Sequence, residues 1–349
     1  MNLLKLKYLP GQGSMLLFHA LARMGFQGLI IVSPKDPLAS VGYFEDAREA
    51  IDFEHCRRAN IPVMRREVGG GATYLDKNQV FYQIIYDPKR AKFPREIERV
   101  FEIFSGPACR TYQRFGIDAG FRGANDIVTS GGRKIAGEGG GDIAGMNVFV
   151  GGILMDFDHR AAGRILRIPD EKFRGKLFRS MEENVTSMRR ELGSVPERED
   201  IVKTLAEEFE KVLGPLEEVE FTAEMKSKMR ELEARMNSID FLFRKSPRKE
   251  GIKIREGVKL FHGRHKAPGG LIRSSQLVES GRIRSASLSG DFQLFPRGGL
   301  ERIEKGFAGV ERRESPLREA AGESIERNKL QIPGVKPGDF AKSLLDGGK

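Results

Sequence analysis

Two short segments of this chain combine cations with runs of glycine. The first, Arg65-Arg66-Glu67-Val68-Gly69-Gly70-Gly71-Ala72-Thr73-Tyr74-Leu75-Asp76, sets two arginines ahead of three consecutive glycines and a strand-like run. Glycine tolerates positive φ and lets another group approach the backbone closely. Uncovered N–H groups in such a turn form a concavity for anions, and a guanidinium fork grips phosphate or carboxylate through two parallel hydrogen bonds. One reading is an anionic ligand lying along the main chain; the other is a plain turn with solvated arginines. The second segment, Asn125-Asp126-Ile127-Val128-Thr129-Ser130-Gly131-Gly132-Arg133-Lys134-Ile135-Ala136-Gly137, reads as a strand, a tight Ser-Gly-Gly turn and a returning strand that carries Lys134. A lysine ammonium suits a phosphoryl or acyl-phosphate oxygen, although a lysine after a hairpin turn is also an ordinary exposed charge. Gly137, Gly139, Gly140 and Gly141 follow at once. The backbone beside this lysine is therefore open to close approach as well, which tips both segments toward a ligand.

The elements that position these segments follow from periodicity and punctuation. Residues Gly13–Gly25 read as a helix, Leu29–Val32 as a buried strand, Asp46–Asn60 as a helix, and Ile61–Arg66 as extended chain entering the glycine turn. Thr73–Tyr86 has the length of one strand, Pro94–Phe104 has helical spacing, and Asn147–Asp158 is a strand whose Gly151-Gly152 pair marks a bulge. Glu197–Leu213 and Ala223–Asn237 are charged amphipathic helices. The second has Met225, Met229, Leu232 and Met236 in a stripe that reads as a core seam or, alternatively, an adaptable binding face. A polar break at Arg244-Lys245-Ser246-Pro247-Arg248-Lys249 divides the chain into residues 1–245 and 246–349. Beyond it, Ile252–His262, Gly270–Glu279 and Arg282–Gly290 alternate like three strands, and Leu300–Phe307 begins a helix. No GxGxxG follows the first strand, which argues against a dinucleotide-binding sheet.

As an ordered set the motifs resemble the lipoate–protein ligase A family, within the wider biotin and lipoate ligase group. The likeness spans about residues 15–215 and includes Val41-Gly42-Tyr43-Phe44 and Asn60-Ile61-Pro62-Val63. It implies an α+β fold, with a mixed, largely antiparallel sheet and flanking helices of the class II synthetase-like type. It also implies an ATP-dependent reaction that forms lipoyl-AMP and passes the lipoyl group to a lysine of a carrier domain. By position in the motif, Lys134 would be the catalytic residue, stabilising charge between the acyl carbonyl and the α-phosphate. Arg66, Gly69, Gly70, Gly71, Ala72, Thr73, Tyr74, Gln79, Asn125, Asp126 and Gly137 would join it in binding ATP and lipoyl-AMP. Mg²⁺ is implied too, with Asp126 either near it or simply salt-bridged; no metal-ligand set is read from the sequence. Leu75 stands where most relatives have His, Gln79 where many have Asn, and Glu138 where Ser is frequent. Residues 246–349 are similar to the small α+β accessory domain of full-length ligases, which assists lipoate activation, and Gly269-Gly270-Leu271-Ile272 and Ile332–Pro337 add to that match.

Two other enzymes stay open on the same fold: an octanoyl- or lipoyl-transferase using a carrier-bound donor, and a biotin ligase. The transferase needs an activated thiolate, and the two cysteines, Cys56 and Cys109, lie away from Asn125 and read as small buried thiols. A non-enzymatic lipoate-binding protein would keep the fold and lose Lys134. His19, His55, His159, His262 and His265 form no visible metal cluster. The chain of 349 residues has no apolar run of about 18 residues and no secretory h-region, so the expected setting is cytoplasmic and off the membrane. Its formal charge of +10 arises from 59 basic and 49 acidic residues interspersed on helices. That excess reads as solvation, or as steering toward an acidic lipoyl-carrier domain, rather than as a nucleic-acid footprint. The carrier would be an acyltransferase subunit of a 2-oxoacid dehydrogenase or a glycine-cleavage carrier-like protein.

Overall fold

The computed structural model describes residues 1–167, 180–246 and 258–346. Its centre is a six-stranded mixed sheet in the order β10-β11-β6-β2-β1-β12. These strands are β1 (Asn2–Leu9), β2 (Gly28–Pro34), β6 (Gln79–Tyr86), β10 (Gly139–Ile143), β11 (Met146–Leu154) and β12 (Glu217–Glu218). β1 runs parallel to β2 and β12, and the other pairings are antiparallel. Strand β6 is buried at every residue, as a largely apolar strand covered on both faces is; its central Gln83 donates to the Ser14 carbonyl. Val80, Tyr82, Ile84 and Tyr86 point to one side, against the helices Ile97–Arg114 and Arg198–Leu213. Phe81 and Ile85 point to the other, against the helices Gly11–Arg23 and Ala223–Met236. The methionine stripe lies in this second layer as a core seam: Leu232 and Met236 are buried, with Met225 and Met229 packed against the same cluster.

Smaller sheets flank the centre. Strand β3 (Leu38–Val41) sits between β4 (Val63–Arg65) and β5 (Thr73–Leu75), while β7 (Ala119–Arg122), β8 (Asp126–Thr129) and β9 (Lys134–Gly137) form a three-stranded meander. Near the C-terminus, β13 (Val258–Ala267), β14 (Gly270–Glu279) and β15 (Arg282–Gly290) form an antiparallel sheet. Its buried Ile272, Ile283 and Leu288 share a core with the helices Leu300–Gly306, Glu314–Arg327 and Pro337–Leu345.

Five expectations change. Residues 46–60 form two short helices, Ala47–Ala50 and Phe53–Arg58, because Ile51 bridges Leu166 and the Asp52 carboxylate caps the His55 N–H. The stretch 73–86 is two strands in different sheets, turned at Asp76, whose carboxylate accepts from the Asn78 N–H at 2.9 Å. The helix expected to end at Phe104 continues through Pro107 to Arg114. Gly151 and Gly152 keep regular register with β6 and form no bulge; Gly151 instead leaves room for the Tyr82 ring, whose hydroxyl would stand 2.3 Å from a Cβ there. The first C-terminal strand runs on to Ala267, and Ile252 to Gly257 lie outside the described residues.

Candidate active site

Buried arginine comes first in building the site. Arg65, at the end of β4, is fully buried, and Nη1 donates to the Gly42, Tyr43 and Glu45 carbonyls at 2.6, 3.1 and 2.7 Å. Its Nε and Nη2 reach the Phe241 and Leu242 carbonyls. Arg66 donates through Nη1 to Ser40 and through Nη2 to the Gly69 and Gly71 carbonyls at 2.9 and 2.8 Å. The second arginine therefore shapes the glycine loop from within. Burial lowers both guanidinium groups, Arg65 to about 9 and Arg66 to about 10.

The loop leads into β5. Thr73 is exposed, Ala72 is partly buried, and Tyr74 is buried in the cluster with Ala39 and Val41. Gln79 is buried and its Nε2 donates to the Tyr74 carbonyl at 3.2 Å. The second segment forms the hairpin expected of it: β8, a turn with Gly132 at φ 77°, and β9. Lys134 opens β9 half-exposed, with Nζ 2.6 Å from the Asp126 carboxylate. A Cβ on Gly137 would stand 3.0 Å from that Nζ, so the glycine keeps space beside the ammonium. Asn125 is tied to Glu138 by two bonds, from Glu138 N–H to the Asn125 carbonyl and from Asn125 Nδ2 to the Glu138 carbonyl, both 2.9 Å.

The two segments meet through β10. Gly69 N–H donates to the Gly140 carbonyl at 3.0 Å. Cβ atoms on Gly139 and Gly141 would stand 3.2 Å from the Gly69 carbonyl oxygen and 2.8 Å from that of Glu67. One group, Arg66 to Tyr74 with Gln79, is thus joined to the other, Asn125, Asp126, Lys134 and Gly137, across Gly139–Gly141. Two glycine runs permit two backbones to touch, and that was the signal available in the sequence.

Residues 291–297 of the C-terminal part, which had no such local signal, cover this junction. Gln293 Oε1 accepts from the Gly140 N–H at 3.1 Å, and the Gly70 N–H donates to the Phe292 carbonyl at 3.4 Å. A Cβ at Gly69 would lie 2.4 Å from Gln293 Oε1. At this face of the loop, what approaches the glycine backbone is the chain itself. Beside it, the buried Glu67 carboxylate binds Arg23, Arg297 and Arg235 at 2.7, 2.7 and 3.4 Å.

Neither cysteine is an activated nucleophile. Both are buried, and burial pushes the Cys56 thiol up to about 11 and the Cys109 thiol to about 12. Among the described residues no group of three or more His, Cys, Asp or Glu side chains could hold a metal ion, and no helix is long and apolar enough to cross a membrane.

This mixed α+β molecule, in which β10 joins the lysine hairpin to the arginine-braced glycine loop, is by its family match an acyl-group ligase or transferase. Residues 17–210 match the lipoyl protein ligase A/B catalytic domain, and the chain belongs to that family. It is similar to the octanoyltransferase LipM of Kyrpidia tusciae, 27% identical over 231 residues that cover 60% of this chain and 84% of that protein. It is also similar to lipoate–protein ligase 1 of Staphylococcus aureus, 24% identical over 309 residues covering 87% of this chain and 83% of the relative. Among solved structures, the bipartite lipoate protein ligase of Thermoplasma acidophilum, studied with its E2 lipoyl domain, matches with a TM-score of 0.62 and 25% identity. That match covers 72% of this chain and 98% of the archaeal chain.

Proposed function

We propose that this enzyme is an ATP-dependent lipoate–protein ligase. A lipoate carboxylate oxygen attacks the α-phosphorus of ATP, pyrophosphate leaves, and lipoyl-AMP forms. The ε-amine of a carrier lysine then attacks the acyl carbonyl and AMP departs. Lys134 stabilises the charge that builds on the oxygens between carbonyl and α-phosphate; losing one such donor costs about 2.7–4 kcal/mol. The observation that carries the assignment is the placement of Lys134, half-exposed and, among the described residues, ion-paired to Asp126. Such a pair is worth roughly 0–1 kcal/mol, so the ammonium is readily handed to an anionic ligand. Arg66, Gly69, Gly70, Gly71, Ala72, Thr73, Tyr74 and Gln79 form the nucleotide and acyl side of the site, with Asn125, Asp126 and Gly137 on the lysine side. Mg²⁺ commonly rests on one or two carboxylates plus substrate phosphates, and Asp126 suits that donor set.

The C-terminal part, residues 246–349, acts in this reading as the accessory domain for activation, and its packing on the glycine loop supports that role. The alignment with the S. aureus ligase reaches 87% of the chain, against 60% for LipM, which favours the ligase. The LipM likeness keeps carrier-dependent octanoyl transfer as the second reading, and the two buried thiols weigh against it. The acceptor is a lipoyl-carrier domain.

The test is to incubate the chain with lipoate, ATP, Mg²⁺ and an apo lipoyl domain, then weigh the acceptor. A lipoyl mass gain that requires ATP is expected, and Lys134→Ala should lower its rate about 10²–10³-fold with the fold intact. A gain seen only with an octanoyl-carrier donor would establish the transferase instead.

A further inference from the structure

The meander of β7, β8 and β9 carries Lys134, but the reaction above uses only part of its exposed face. In antiparallel pairs, residues directly opposite one another share a face. Arg122, Asp126 and Gly137 therefore form one row across the three strands, and Gly120, Val128 and Lys134 form the next. The reverse face is the inner one, with Ala119, Ile127, Thr129, Ile135 and Ala136 all buried. Lys134 and Gly137 are three residues apart, a spacing that puts two side chains on opposite faces of a regular strand. The register shift between Ile127 and Val128 absorbs the extra residue. It brings Lys134 round to the face of Asp126 and Arg122, as a bulge beside a functional site re-aims a side chain.

That face has a cation on each side of Asp126. Lys134 Nζ lies 2.6 Å from the Asp126 carboxylate, and the missing Cβ of Gly137 leaves the ammonium its room. Arg122 stands opposite Asp126 from the other strand and is exposed. Its guanidinium forms no ion pair or hydrogen bond with the described residues, because the carboxylate is turned to Lys134 instead. Packing does not explain the glycine beside them: a Cβ at Gly120 would meet no atom within 4 Å. Its effect is to leave the ground next to both cations bare. Neighbouring strands stand about 4.7–4.9 Å apart, so the two long side chains can meet a common ligand over β8. The ammonium supplies a point charge for one oxygen, and the guanidinium fork takes two oxygens in parallel. A short phosphate chain has that charge and that spread of oxygens.

We propose that Arg122 is a further substrate-binding residue: with Lys134 it seats the β- and γ-phosphates of ATP, the part that departs as pyrophosphate, on the exposed face of the meander. The identity of the phosphate chain as that of ATP rests on the ligase reading above; the phosphate site itself does not.

Calorimetry of the whole chain with inorganic pyrophosphate, and separately with ATP and Mg²⁺, tests the site without turnover. Arg122→Gln should weaken both about tenfold or more, as loss of a charge-assisted hydrogen bond does. Arg122→Lys should recover part of that loss, since it keeps the charge and not the fork. Arg230 is exposed on the helix Ala223–Met236. Arg230→Gln removes the same charge there and should leave both affinities within about twofold. In assays at low ATP, Arg122→Gln should slow ATP-dependent lipoyl transfer at least about fivefold more than transfer from supplied lipoyl-AMP, which lacks these two phosphates. A wild-type chain that binds neither probe would overturn the proposal. So would a folded Arg122→Gln that binds either probe as the wild type does, or that loses no more than Arg230→Gln. Binding that depends on Arg122 in a protein without lipoyl transfer at any ATP concentration would sink the ligase reading and leave the phosphate site standing.

Discussion

Arg65 shows how a residue type can be legible while its job is not. The paired arginines announced anion chemistry, but Arg65 is spent on five main-chain carbonyls from two distant segments, Gly42 to Glu45 and Phe241-Leu242. Nothing local in the sequence marks residues 241 and 242 as its acceptors, because the contact spans about 176 positions. Arg65→Met keeps the stem and strands those buried carbonyls, at roughly 1–3 kcal/mol for each one left unsatisfied. We expect a loss of about 3–4 kcal/mol once relaxation and water have recovered some of them. Urea unfolding would measure it, and a loss under about 1 kcal/mol would mean that the carbonyls find other donors. The hairpin lysine was legible for the opposite reason: Ser130-Gly131-Gly132 specifies its own turn, and Lys134 follows at a fixed offset from it.

At the scale of elements, β2, β11 and the three C-terminal strands were readable from apolar runs, alternation and turn residues, whereas β1, β10 and β12 of the central sheet were not; β14 and β15 begin and end where the pattern does. The misreadings share a cause. A side chain that caps or bridges, such as Asp52, Asp76 or Ile51, interrupts an apolar run without altering its composition. Glycine pairs were ambiguous in the same way, since a missing Cβ can serve a bulge, a ligand or a neighbouring ring. At Gly140 it serves rings: a Cβ there would stand 2.9 Å from Phe295 Cζ and 3.1 Å from Phe101 Cζ. Overpacking of this kind costs typically 1–3 kcal/mol. Gly140→Ala should therefore displace residues 291–297 from β10 and speed their amide hydrogen exchange at least about fivefold. Unchanged exchange there would show that the ring moves aside freely.

Across the whole molecule, Glu67 ties three regions together: Arg23 closes the helix Gly11–Arg23, Arg235 lies on Ala223–Met236, and Arg297 comes from the C-terminal part. His19 completes the site as a neutral ring, its Nε2 accepting from the Glu67 N–H at 2.9 Å. Burial alone would raise the Glu67 carboxyl, but the surrounding charges, Arg297 and Arg23 among them, outweigh it and hold the group near 2, below its ordinary 4.5. An unfolded chain takes up this proton first as pH falls, so the contribution is whole above about 4.5 and lost on the way down to about 2. Arg297→Gln removes one holder and raises the folded value, so acid should loosen the variant at a higher pH than the wild type. Unfolding followed from pH 5 to pH 2 would reveal it; coincident acid transitions would mean that Arg23 and Arg235 suffice.

The parallel seat of β1 between β2 and β12 has a consequence for synthesis. Asn2 and Leu3 pair with Glu217 and Glu218, so one edge of β1 waits for a partner made more than two hundred residues later. Over the same interval the sheet lacks Ile201, Leu205 and Phe209, which cover its other face from the helix Arg198–Leu213. At about 5–20 residues per second, a nascent chain would carry an open strand edge and a bare apolar face for roughly ten seconds or more. Chaperone demand at the ribosome should therefore peak before residue 218 emerges and ease once β12 has docked.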